Sequence, residues 1–209
     1  SYVMGTENID LRLKDLILRK IAGVAFFIEE FVKSLMHLGV IEKKDNCYFV
    51  KDVQDMAIPS TIQDVIMARV DRLPESSKEL LQTASVIERE FSYELIKLVS
   101  GLPEQELLPQ LSVLMGAELL FERGIYPKST YIFKHALTQE VAYDSILTSR
   151  KKKLHDKIGT AIEKLYKENI HEHYSVLAAH FIEAENYEKG AEYARLACKK
   201  AEKAASFPD

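Results

Sequence analysis

The chain has 209 residues, enough for one large domain or roughly two or three small ones. Its 47% hydrophobic and 29% charged residues suit a soluble globular protein, and no apolar run approaches the ~18 residues that a membrane span needs. The formal net charge of −4 provides no global basic face for nucleic acid, and the 8 Gly and 6 Pro are too few for a β-sandwich or barrel, so helices are expected.

The chain begins at Ser1 without Met and stops after a predicted helix at Phe207-Pro208-Asp209, so both ends are expected to lie within a longer protein. Asp10, Arg12, Lys14 and Asp15 interrupt the first apolar positions, which argues against a signal peptide. Ile9, Leu11, Leu13, Leu16, Ile17, Leu18 and Ile21 predict a helix over 9–22. A second follows over 25–38, with Phe26, Phe27, Phe31, Leu35 and Leu38 inward and Gly39 placed as its C-terminal cap. In 40–58, Val40-Ile41 and Tyr48-Phe49-Val50 flank a charged turn and predict a small hairpin or extended linker.

Ser60 and Gln63 form a capping-box pattern ahead of the stripe Ile62, Val65, Ile66, Val70 and Leu73, and Pro74 stops that helix. Helices are predicted over 75–87, over 93–99 with Ser92 as cap, and over 104–117, with Gly116 loosening the end. Leu119-Leu120-Phe121 and Tyr131-Ile132-Phe133 then predict a hairpin with a long loop. Three short helices followed by a hairpin is the order of a winged helix, with the helical part at 75–117 and the wing at 118–134. Helices over 137–148, 150–168, 171–184 and 187–204 complete the chain. The last two are joined by a tight Glu185-Asn186 turn, and Ala191, Ala194, Ala197, Ala201 and Ala204 allow close approach, as in one unit of a helical-hairpin repeat.

The residues offer little for catalysis. No phosphate-binding loop, dinucleotide fingerprint or nucleophile elbow occurs, so the chain is read as non-catalytic, with no cofactor of its own. Cys47 and Cys198 lie far apart and fit small hydrophobes in a reducing cytoplasm. His171, His173 and His180 invite a metal reading, but His173 and His180 are two helical turns apart, too far to share an ion with bonds of ~2.0–2.1 Å. They are expected to be solvated or capping side chains. Arg150-Lys151-Lys152-Lys153 opposes the dipole at a helix start, so it reads as a solvated turn or as the contact of an acidic partner. The 104–117 helix would be the DNA-reading one, yet its polar residues are Glu104, Gln105, Glu106, Gln110 and Ser112; protein packing is favoured over DNA. His135 ends the last wing strand where a helix begins at once. A histidine there can hydrogen-bond a phosphate or hold a domain shut, although a satisfied, half-buried side chain is the commoner role.

Three ordered segments carry a family resemblance. Phe26-Phe27-Ile28-Glu29-Glu30-Phe31-Val32-Lys33-Ser34-Leu35 resembles part of the lid of STAND-type (signal-transduction) ATPases. The run from Ile58 through Arg69-Val70-Asp71-Arg72-Leu73-Pro74 and the segment Phe133-Lys134-His135-Ala136-Leu137-Thr138-Gln139-Glu140-Val141-Ala142-Tyr143 resemble two further segments of the same family. The combination is similar to the region that often follows the catalytic domain of bacterial class III adenylate/guanylate cyclases, and the likeness spans about residues 20–204.

The resemblance implies a mainly α fold with three parts: a helical lid at 1–45, a winged-helix domain with a β-hairpin wing at 46–148, and the start of tetratricopeptide-like repeats at 149–209. It implies an upstream ATPase core that binds ATP or ADP with Mg, protein or peptide ligands on the repeats, and a cytoplasmic signalling role. His135 matches the histidine that contacts the ADP diphosphate in that class; away from the core it should be an ordinary histidine at the seam between wing and helix. Two positions depart from the pattern: Ala136 stands where plant and animal members often carry aspartate, and Val24-Ala25 where the family often has Asn-Pro.

Overall fold

The computed structural model describes residues 36, 41–44, 47–50 and 62–205. The chain divides into two compact units, Ser1–Leu73 and Pro74–Asp209. In the first, strands β1 (Ile41–Lys44) and β2 (Cys47–Val50) pair antiparallel with Ile41 opposite Val50, so the charged segment is a true hairpin. Helix α1 (Ile62–Asp71) buries Val65, Ile66 and Val70, three residues of its predicted stripe. The helix predicted over 9–22, most of that over 25–38, and the Ser60 cap lie outside the described residues.

The second unit begins with α2 (Glu75–Ile87), β3 (Glu90–Ser92), α3 (Tyr93–Ser100) and α4 (Glu104–Gly116). The wing strands β4 (Leu120–Arg123) and β5 (Thr130–Phe133) follow. The sheet order is β3-β5-β4, antiparallel throughout, with Phe91 opposite Tyr131 and Leu120 opposite Phe133. Helix–strand–helix–helix–hairpin is the order of a winged helix, and the fold is mainly α. Strand β3 was not expected. Its three residues are too few to show a period, and it exists because β5 offers its second edge to Glu90–Ser92. Ser92 closes the strand and caps α3, its hydroxyl accepting from the Leu95 amide at 3.2 Å. Gly101 ends α3 at φ 73°, the left-handed cap that glycine adopts without cost.

Helix α4 ends differently from expectation. Gly116 stays helical and Glu118 takes the left-handed turn at φ 55°. The amide of Leu119 reaches the Leu114 carbonyl at 3.0 Å and that of Glu118 the Met115 carbonyl at 2.9 Å, a Schellman motif. Leu114 and Leu119 are both buried, so the apolar contact that accompanies this motif sets the stop rather than the glycine.

Helices α5 (Ala136–Asp144), α6 (Thr148–Leu165), α7 (Tyr174–Glu183) and α8 (Tyr187–Ala205) complete the unit. Helix α5 stops earlier than expected, and α6 starts at Thr148 after Leu147. The first residues predicted for α7 form a 3-10 turn at Ile170–Glu172 instead. The α7–α8 turn is a second Schellman motif, with Glu185 at φ 60° and the Asn186 amide on the Phe181 carbonyl at 2.8 Å.

The core of the winged helix comprises Leu81, Ile96, Leu107, Leu111, Leu114, Tyr131 and Phe133, each at most 1% exposed. Helix α6 packs on α2 and α3 and also on α7, so it ties the winged helix to the α7–α8 hairpin. Gly159 of α6 makes that contact close: a Cβ there would lie 2.8 Å from Cζ of Phe181.

Candidate functional site

His135 lies between β5 and α5, and its backbone is held on three sides. The Phe133 amide donates to the Arg89 carbonyl at 2.9 Å, and the Lys134 amide to the Leu119 carbonyl at 3.0 Å. The His135 carbonyl accepts from the Thr138 amide at 3.1 Å, which opens the first turn of α5. His135 itself is extended (φ −134°, ψ 137°) and half-buried, and no side chain caps α5. No acidic residue occupies that first turn. A half-buried histidine beside a helix start without a side-chain cap is a place where an anion can be met, because amide hydrogens and the helix dipole point the same way.

The platform under His135 is rigid. Gln139 Nε2 donates to the Ser85 carbonyl at 3.1 Å, and Gln82 Nε2 to Ser145 Oγ at 2.9 Å, so α5 is tied to α2 at its middle and just past its end. Thr138 and Ala142 are buried beneath it. Lys134 pairs with Glu118 at 3.0 Å, which ties the connector to the end of α4.

No protein-family model and no curated protein matches this chain.

The other candidates resolve as follows. Helix α4 exposes Gln105, Glu106, Pro109, Ser112 and Val113, and none is a cation, so its outer face lacks what a base- or phosphate-reading helix presents. The basic run on α6 meets acids within this chain, in partly exposed pairs that suit both the solvated turn and the acidic partner inside the same protein that were expected. Arg150 reaches Glu79 of α2 at 3.4 Å, Lys151 reaches Asp144 at 3.7 Å, and Lys152 reaches Glu185 at 2.7 Å. Lys151 also lies 4.0 Å from the centre of the Tyr143 ring.

Of the three histidines only His180 differs from expectation, and His171 is exposed. His173 stands at the start of α7 and stacks on Tyr166 at 4.1 Å. His180 is neither solvated nor a cap: it is buried, 5% exposed, with Nδ1 2.9 Å from Nδ1 of His155. His155 is buried too, and its Nε2 lies 3.2 Å from the Tyr143 hydroxyl. This Tyr143–His155–His180 chain was missed, because its members come from three helices. The available signal was that His155 sits on the same stripe as Ile158 and Ile162, and His180 beside Leu177 and Phe181. Burial holds His180 down to about 4, with His155 adding to the effect. Burial lowers His155 as well, against the opposing pull of Glu183, with Lys151 assisting. Among the described residues no group of three or more His, Cys, Asp or Glu could hold a metal ion, and no helix is long and apolar enough to cross a membrane.

Proposed function

We propose that this chain is a non-catalytic regulatory and interaction segment of a STAND-type signalling ATPase, attached to an adenylate/guanylate cyclase. In this reading an upstream core binds ADP, and His135 bridges the diphosphate to the winged helix and holds the protein closed. Exchange for ATP, or a protein or peptide bound to the helical hairpins, releases the bridge. A ligand shifts such an equilibrium only by its differential affinity for the two states. The observation that carries the reading is the fixed placement of His135, half-buried at the start of α5 and directly after the central strand of the sheet. The resemblance of the three segments gives that placement its proposed ligand.

The deciding experiment is ADP affinity and cyclase output of the full-length protein carrying His135→Ala. Loss of one charge-assisted hydrogen bond should weaken ADP about tenfold or more and raise basal output. Unchanged affinity with unchanged output would refute the role. A winged-helix DNA-binding regulator is the alternative reading, disfavoured by the cation-free face of α4. Salt-dependent DNA binding would support it, since phosphate contacts give a steep salt slope. A helical-repeat scaffold without nucleotide control is the third reading, and a protein lacking an upstream phosphate-binding loop would favour it.

A further inference from the structure

Two neutral imidazoles facing each other through the same nitrogen need one proton between them, and the Tyr143–His155–His180 chain supplies it in either direction. Tyr143 can donate to Nε2 of His155, whose Nδ1–H then donates to Nδ1 of His180. In the reverse order the Nδ1–H of His180 donates to His155, whose Nε2–H donates to the tyrosine oxygen. In both orders one Nδ1 is an acceptor, and the 2.9 Å separation exists because of it. A further proton adds a buried charge, although an imidazolium at His180 can still donate its Nδ1–H to neutral His155; a second added proton sets two N–H groups against each other at 2.9 Å.

We propose that the His155–His180 contact is an acid-sensitive latch that fastens the α7–α8 hairpin to α6, and through α6 to the winged helix. Its position suits the task. His155 is on the helix that packs against α2 and α3, whereas His180 is on the first helix of the hairpin. The proposal is independent of any nucleotide role for His135.

The surroundings decide how far the latch resists protonation. From α5, Tyr143 faces His155. On α6 itself, Lys151 opposes a second cation, and on α7 Glu183 favours one. His180 also lines a cavity of about 130 Å³ with Glu88 and Glu90 from the α2–β3 segment and with Tyr166 and His173. Helix α8 reaches α7 at Phe181, through Tyr193 and Lys189. Both glutamates are exposed and Glu90 pairs with Arg123, so neither is held against the imidazoles, and the burial of the histidine pair keeps it neutral near pH 7.

Hydrogen exchange of the 209-residue chain at about pH 7.5 and about pH 5, corrected for intrinsic rates, tests the latch. The expected result is exchange in α7 and α8 faster by about tenfold or more at the lower pH, with α2, α3 and α4 changing less. His180→Gln keeps a group able to donate to or accept from Nδ1 of His155 but does not titrate. His155→Leu with His180→Leu removes both imidazoles together. The double variant should lose the local acid response, and His180→Gln, which leaves only His155 to titrate, should reduce it. Equal acceleration across the winged helix and hairpin, or a local response undiminished in both variants, would overturn the proposal. The comparison within the unmodified chain stands even if the double variant does not fold.

Discussion

Gly159 offers the sharpest test of how the helical hairpin is attached. A methyl group at this position would meet the Phe181 ring at 2.8, 2.9 and 3.1 Å, where carbon atoms ordinarily rest at about 3.5–4.0 Å. The ring has no room to retreat. Phe181 is fully buried, lies nearly parallel to Tyr193 (centroids 5.8 Å apart, 11° between planes), and has Lys189 4.6 Å from its centre. Overpacking of this kind costs about 1–3 kcal/mol, while the better helix propensity of alanine returns about 1 kcal/mol. Gly159→Ala should therefore destabilise the α6–α7 contact by up to about 2 kcal/mol. Gly116→Ala is the control: nothing lies within 4 Å of its added Cβ and its φ is ordinary for a helix. There the propensity gain is unopposed and stability should rise by about 0.5–1 kcal/mol. Urea unfolding followed by circular dichroism measures both. Adding Phe181→Leu to Gly159→Ala should recover part of the loss, as coupling between touching residues requires. If Gly159→Ala stabilises the chain as Gly116→Ala does, the close approach of α6 and α7 is not what holds the hairpin.

Other expectations follow from the same geometry. His180 ionises near 6.5 in an unfolded chain and at about 4 in the fold, so its contribution is complete above pH ~6.5 and is lost as pH falls toward 4. At about pH 5 the loss should be roughly 2 kcal/mol, measurable as a drop in the urea midpoint that is smaller in His180→Gln, where only His155 of the pair remains. Ser92→Ala removes the cap on the Leu95 amide and should cost about 1 kcal/mol in thermal or urea unfolding. Glu185→Gly relieves a left-handed conformation worth about 1 kcal/mol but gives up an exposed ion pair with Lys152; a net rise in stability of up to about 1 kcal/mol is expected by the same measurement.

Much of the helical architecture was legible because each helix buries one stripe. Val65, Ile66 and Val70 recur at helical spacing and are the residues withdrawn from water, as are Leu107, Leu111 and Leu114. Features that depend on a partner distant in sequence were not legible. Strand β3 is defined by the free edge of β5, and the end of α4 by the meeting of Leu114 with Leu119. Of the candidate residues, His135 was visible because a strand ends and a helix begins beside it. The His155–His180 pair was hidden by its separation of 25 residues on two helices. The proximity of His171, His173 and His180 in sequence pointed instead to one another. The basic run on α6 looked unpartnered only because Glu79, Asp144 and Glu185 lie on other elements.

The two-residue connector Lys134-His135 has a mechanical consequence. Its backbone is bonded to the sheet register on one side and to the first turn of α5 on the other, and α5 is pinned to α2. Position 135 therefore behaves as a point on a solid body rather than as the tip of a loop. A contact made there cannot be gained or lost by local ordering. It would report the angle at which the whole winged helix is presented, so small changes in that angle would become displacements of the imidazole scaled by its distance from the pivot.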